Sequence, residues 1–313
     1  FNGYSQMHFL DKSITCNAWD NSLDSRVSIQ GGDSILIEMQ DSSDGQVHPS
    51  LSLSDFRKID FGLIHALTGP VAIDGAKSGD TLKIEILNYA HKGWAWQSIN
   101  PEKCFLPDDY DDFYLHHWKL EEETTSSMPG ITLSLHPFCG IIGVQREEKG
   151  IFRTRPPGAY GGNMDVKHLV AGSILYLPVF VDGAKLCVGD AHAAQGDGEV
   201  SINGLEAPMD VTLRISIEKN ISVKEPYVLT APGLYPPAYK DSKFHAFVSS
   251  GPDIKINAQG AVRRAIDYLM NRLNLSSEQA FLTCSAVLDL KLSQVVNTPN
   301  FTVTGYLPEA IFD

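Results

Sequence analysis

The chain has 313 residues, 43% of them hydrophobic and 20% charged, with a mean hydropathy of −0.11, which are the values of a folded globular protein with a sizeable core. Its net charge of −13 repels phosphate backbones and argues against nucleic-acid binding, and no apolar run reaches the length of about 18 residues that a membrane helix needs. Phe1 to Gln6 lacks the basic and apolar regions of a signal peptide and reads as an expression remnant ahead of Met7. Cys16, Cys104, Cys139, Cys187 and Cys284 form no C-x-x-C pair and read as reduced thiols of a cytoplasmic protein.

The first patterned segments are strands. Val27–Gln30 and Ser34–Gln40 flank Gly31-Gly32-Asp33, a hairpin signal. Pro70–Asp74 and Thr81–Asn88 repeat the pattern, and Leu82, Ile84 and Ile86 alternate with charges as in a half-buried strand. Polar Glu121 to Ser127 reads as an exposed loop. Ile174–Val181 is apolar almost throughout, so it predicts a buried strand, with Pro178 calling for an edge or a bulge. Val200–Asn203 and Val211–Ile217 are further strands. Ala258–Leu273 is an amphipathic helix with Asn257 as its cap, and a second helix opens at Ser276 with Gln279 at capping-box spacing. Many strands followed by paired helices predict an α+β fold: a β-rich, mostly antiparallel core, sandwich- or barrel-like, with paired C-terminal helices. The organisation reads as one domain over 7–313, or two fused β-rich subdomains over about 7–145 and 146–313.

The densest chemistry lies in the run 189–199, where Asp190, His192, Gln195, Asp197 and Glu199 are interleaved with glycines and alanines that leave room for close approach. Asp190 and His192 are two apart and share a face if extended; carboxylate with imidazole suits zinc. Asp197 and Glu199 repeat that spacing, and so do Asn163 and Asp165 behind Tyr160-Gly161-Gly162. Asp41, in Asp41-Ser42-Ser43-Asp44-Gly45-Gln46, supplies a further acidic group after a strand. The competing account of each segment is a turn whose side chains accept backbone hydrogen bonds. No G-x-S-x-G elbow, H-E-x-x-H, P-loop or dinucleotide fingerprint is present.

Read in order, these blocks resemble the acetamidase/formamidase family over roughly residues 8–300. The match runs through Trp19-Asp20-Asn21, Thr68-Gly69-Pro70-Val71, Gly79-Asp80-Thr81-Leu82, Gly93-Trp94-Ala95-Trp96 and Pro137-Phe138-Cys139-Gly140. It is strongest at Gly161-Gly162-Asn163-Met164-Asp165, Leu175-Tyr176-Leu177-Pro178-Val179 and Gly189 to Glu199. The resemblance implies hydrolysis of short amides such as formamide or acetamide, a divalent metal and a homo-oligomer. Its acidic and imidazole positions fall on Asp41, Asp165, Asp190, His192, Asp197 and Glu199. Two departures stand out: Cys16 where many members have histidine, and Pro156 to Tyr160 just before Gly161.

The expectation is metal-assisted hydrolysis of a short aliphatic amide by a cytoplasmic homo-oligomer, without nucleic-acid or membrane partners. The metal is zinc, or else calcium or another divalent ion. It is held by Asp190 and His192 with Asp41 or Asp165. Glu199 is the general base, with His192 and Asp197 beside it, and Tyr160, Gly161, Gly162, Asn163 and Gln195 line the substrate. The alternatives are a non-catalytic binding homologue and a hydrolase of a larger amide or another C–N bond.

Overall fold

Short glycine-bearing connections carry the chain from one sheet to another. A computed structural model, described for residues 5–224, 226–232, 237–294, 299 and 301–313, shows this first at Gly31-Gly32-Asp33. That turn joins β2 (Val27–Ile29) to β3 (Ser34–Met39), which lie in different sheets and do not pair, so the hairpin expectation fails. The same step joins β4 (Leu67–Ile73) to β5 (Thr81–His91). Alternating strands cover a shared core from two sides when a turn redirects one strand onto the opposite layer, and local turn chemistry alone cannot tell this from a hairpin.

The five-stranded sheet also contains β6 (Phe138–Gly143), β7 (Gly161–Asn163) and β9 (Leu186–His192), in the order β7-β6-β9-β4-β2. The six-stranded sheet adds β1 (Met7–Leu10), β8 (Ile174–Pro178), β10 (Met209–Glu218) and β11 (Tyr227–Leu229), in the order β1-β3-β10-β5-β8-β11. Pairing is antiparallel except for β1 with β3 and β2 with β4. Apolar residues of both sheets, including Ile35, Ile37, Leu67, Val71, Ile84, Leu177 and Val188, share one core. Neither sheet closes into a barrel.

Pro178 is the last residue of β8 and pairs with Thr81 on one side, while β11 reaches only Ile174 to Tyr176 on the other. The proline therefore meets no ladder where it lacks a donor. Glu121 to Ser127 is not simply a loop: Thr124–Met128 pairs with Ile131–Ser134, burying Thr125 and Met128. Val200–Asn203 forms turns, not a strand.

The C-terminal part is a three-stranded sheet of β12 (Phe244–Gly251), β14 (Phe301–Pro308) and β13 (Asp289–Gln294), in that order, with α1 (Ile254–Leu273) packed on it and α2 (Ser277–Val287) beside α1. The cap of α1 is Asp253, whose side chain accepts from Ile256 N–H, and Asn257 is instead a buried residue donating to Gly251 O. Ser276 and Gln279 form the expected capping box. The backbones of α2 and β13 reach the site loop directly: Gly196 N–H donates to Ser285 O of α2, and Leu290 N–H of β13 donates to Asp197 O.

Candidate active site

Strand β9 ends at the site and positions its two best donors. Asp190, at φ +51, breaks the extended path, and His192 Nε2 comes to 3.4 Å from Asp190 Oδ1. Glu206 enters from Gly204-Leu205-Glu206-Ala207, which bridges His192 on one side and Trp96 on the other. Its Oε1 stands 2.9 Å from His192 Nε2. Asp165 follows β7, and Glu199 follows Gly198, with its Oε1 3.8 Å from His192 Nε2. His192 is thus common to two clusters, Asp190–His192–Glu206 and Asp165–His192–Glu199, in each of which the donor atoms lie within 4.8 Å of one another.

Close approach of backbone makes this crowding sterically accessible. A Cβ on Gly140 would stand 2.6 Å from Asp190 O, 2.7 Å from Asp165 Oδ1 and 2.8 Å from Asp190 Oδ2. One on Gly204 would stand 2.6 Å from His192 Nδ1. Asp165, Asp190 and Glu199 all adopt positive φ, a costly conformation for non-glycine residues that the surrounding packing must enforce.

The orientation of His192 is set from behind. Gln195 Nε2 donates to Asp165 O at 3.1 Å, which fixes the amide, so its Oε1 accepts from His192 Nδ1–H at 2.9 Å. Nε2 then faces the carboxylates. It meets Glu206 at ion-pair distance but off the angle of a hydrogen bond, and His192 Nε2, Asp165 Oδ1 and Glu206 Oε2 are all buried without a hydrogen-bond partner among the described residues. Buried polar atoms are rarely left so. One imidazole nitrogen and several carboxylate oxygens converging this way form a donor set that fits a divalent cation, and a second-sphere amide behind the imidazole is the usual arrangement.

The electrostatics agree with that fit. Burial, then the charge of Asp190, pushes Asp165 up to about 7 and Glu206 up to about 8. Burial and then the Asp165 charge lift Glu199 well above the carboxylate range. Burial opposes the charge on His192 too, but Glu206 and Asp190 outweigh it and raise the imidazole well above its ordinary value. Burial would raise Asp190 as well, yet the neighbouring imidazoles of His65 and His192 hold it low. Four carboxylates around one imidazolium cannot all ionise, so protons fill the space that a cation would neutralise.

The clusters open into a cavity of about 110 Å³. Asp165, Asp190, Glu199 and Glu206 line it together with the apolar Phe56, Phe61, Ile64 and Trp96, and with Asn163, Asn100, Lys103 and Arg155. His65 reaches the cavity with its Nδ1 at 3.0 Å from Thr154 Oγ1 and its Nε2 at 3.8 Å from Asp190 Oδ2, and burial keeps its pKa low.

Asp165, Asp190, His192 and Glu199 therefore come together, with Gln195 behind them and Asn163 on the wall. Other expected residues do not join them. Asp41 accepts from Ser43 N–H, Ser43 Oγ–H, Gly45 N–H and Trp96 Nε1–H at 3.0, 2.5, 2.9 and 2.9 Å. Its oxygens are spent on a turn and on the indole that walls the cavity. Asp197 faces away, 3.6 Å from Lys167 Nζ, because Gly198 and Glu199 take positive φ and the extended spacing is lost. Tyr160 packs edge-on against Trp19 with its hydroxyl donating to Pro156 O, and Gly161 N–H donates to Gly158 O; neither residue, nor Gly162, lines the cavity. Cys16 pairs with Leu67 through its backbone and belongs to neither cluster. Sequence reasoning missed Glu206 and His65. Glu206 did leave a trace, a lone carboxylate inside the apolar stretch Leu205-Glu206-Ala207-Pro208-Met209; His65 left none.

The sequence profile of the Acetamidase/Formamidase family matches residues 5–151 and 145–313. The chain belongs to the acetamidase/formamidase family. It is 26% identical to a formamidase of Methylophilus methylotrophus over 367 aligned positions, covering 95% of this chain and 89% of that one. Among solved structures, an acetamidase from Bacillus halodurans is 30% identical, with a TM-score of 0.68 over 96% of this chain and 97% of its own. A gamma lactamase from Delftia acidovorans is 26% identical and superposes with a TM-score of 0.88 over 97% of this chain and 90% of its own. Acetamidase/formamidase membership agrees with the β-rich architecture, and among the described residues no helix is long and apolar enough to cross a membrane.

Proposed function

We propose that this chain hydrolyses the C–N bond of a small amide to a carboxylic acid and ammonia or an amine, assisted by a divalent metal, zinc first. The observation that carries the reading is the convergence of His192 Nε2 with the carboxylates of Asp165, Asp190, Glu199 and Glu206 on one cavity, in a member of an amide-hydrolase family. Asp190, His192 and Glu206, with Asp165 alongside, would hold the metal. When bound, it supplies a Lewis acid that polarises the amide carbonyl and lowers the pKa of water.

The remaining work belongs to the chain. Glu199, held well above the carboxylate range by burial and then by the Asp165 charge, is basic enough to take a proton and can return it. It takes a proton from water as the oxygen adds to the carbonyl carbon, and delivers it to the nitrogen as the C–N bond breaks. Gly204 N–H holds its Oε1 at 3.1 Å. Gln195 keeps His192 in the tautomer that presents Nε2. Trp96, fixed by Asp41, closes the apolar side and limits water.

A second reading, a cyclic amide as substrate, is favoured by the higher structural similarity to the gamma lactamase than to the acetamidase. Elemental analysis together with turnover of formamide, acetamide and an unsubstituted γ-lactam separates the readings. Ammonia from the linear amides supports the first and ring opening the second, while metal-loaded protein inert on all three refutes both.

The five cysteines are unpaired, in keeping with a cytoplasmic enzyme. Both edges of the six-stranded sheet expose apolar side chains, Met7 and Phe9 on β1 and Tyr227 and Leu229 on β11, which supports a homo-oligomer. A solution mass of 34.3 kDa would refute the oligomer.

A further inference from the structure

The cavity carries both signs of charge. Its four carboxylates gather around His192, and two cations, Lys103 and Arg155, line it as well. Both are exposed, and neither comes within ion-pair distance of those carboxylates or of any other acid among the described residues. Several other cations of this chain do have an acid beside them: Arg26 pairs with Asp11, Lys77 with Asp182, Lys92 with Asp210, Arg214 with Glu85 and Arg263 with Asp109. Two cations without an acid thus line one small cavity, in a chain with 38 acidic against 25 basic residues. Arg155 is tied to the site by its backbone, because Asn163 Nδ2 donates to Arg155 O at 3.1 Å. That bond fixes the Asn163 amide, and its Oδ1, buried and without a partner, is left as an acceptor on the cavity wall.

A ligand complementary to this wall has three parts. It places a carbonyl among the carboxylates, an N–H donor on Asn163 Oδ1, and a negative group on Lys103 and Arg155. We propose that the substrate of this site is an amide bearing its own carboxylate, with Lys103 and Arg155 as the residues that select for that charge. The inference rests on the amide-hydrolase reading above. It adds a charge preference, so neutral amides such as formamide and acetamide are turned over less well than a carboxylate-bearing one. Arg and carboxylate pair through two parallel hydrogen bonds, and Lys adds a point charge, so the gain in selectivity lies in binding and in KM.

The test compares succinamate with butyramide, which replaces the carboxylate by a methyl group, on zinc-loaded protein. The expected kcat/KM ratio favours succinamate by roughly tenfold or more at low ionic strength, the scale of one charge-assisted hydrogen bond. It shrinks as salt rises. In the Lys103→Met/Arg155→Met double variant the ratio falls toward one, mainly through the KM for succinamate. A ratio at or below one in the wild type, or one unchanged in the double variant, overturns the inference. If the two cations merely offset the buried carboxylates, the double variant shifts the pH profiles of both substrates together and leaves their ratio alone, which also overturns it. If neither amide releases ammonia, the hydrolase reading fails instead. Calorimetric titration of succinamate and butyramide into wild type and double variant then decides the charge selectivity, with equal affinities overturning it.

Discussion

Gly140→Ala tests the site without replacing a candidate ligand. The new methyl group would meet Asp190 O at 2.6 Å, Asp165 Oδ1 at 2.7 Å and Asp190 Oδ2 at 2.8 Å, all closer than carbon and oxygen tolerate. Relief requires β6 or both carboxylates to move by about half an ångström, the tolerance within which a constellation stays productive. Overpacking of this kind costs ~1–3 kcal/mol. Spread over the unfolding entropy of a chain this long, that lowers Tm by ~1.5–4.5 °C. The rate suffers more, by ~10–10²-fold, because displacement acts on the reacting geometry itself. The assay is amide turnover per folded molecule well below Tm, beside bound zinc and a melting curve. A variant that melts lower but keeps rate and zinc within twofold of wild type would refute the assignment of Asp165 and Asp190 to the site.

Glu199→Gln should lower kcat by roughly 10²–10⁴ while zinc content stays near wild type, since the amide keeps the size but not the proton affinity; zinc lost in proportion to rate would make Glu199 a ligand. Gln195→Leu frees His192 Nδ1 and should weaken zinc affinity by ~10–100-fold in a competition titration, an effect that addition of zinc partly reverses; unchanged affinity removes Gln195 from the site. Asp165, raised to about 7, binds its proton more tightly folded than unfolded, so in the metal-free protein it contributes stability at low pH that is lost as pH rises from the ordinary carboxylate range through about 7. Asp165→Asn should therefore gain stability relative to wild type across that window in urea melts, and a difference independent of pH would show the shift to be absent.

The sequence by itself carried the family, the β-rich class and the local chemistry. Alternation marked Thr81–Asn88 and Val211–Ile217, which lie within the observed strands Thr81–His91 and Met209–Glu218, capping spacing marked Ser276, and the glycine-flanked run held Asp190, His192 and Glu199, because these are properties of neighbours along the chain. Which strand pairs with which was not legible. A turn such as Gly31-Gly32-Asp33 serves a hairpin or a crossing between sheets equally well, and only the shared core decides. The same holds at the site. Asp41, Asp197 and Asp190 look alike as acidic residues in short glycine-bearing segments, but backbone donors and an indole take up Asp41, Lys167 holds Asp197, and the third is packed against His192 and His65. Glu206 joins through backbone pairing with His192 and Trp96, and His65 comes from a segment remote in sequence through a hydrogen bond to Thr154. A carboxylate becomes a ligand or a proton carrier through burial and the charges around it, and those are set by the tertiary structure alone.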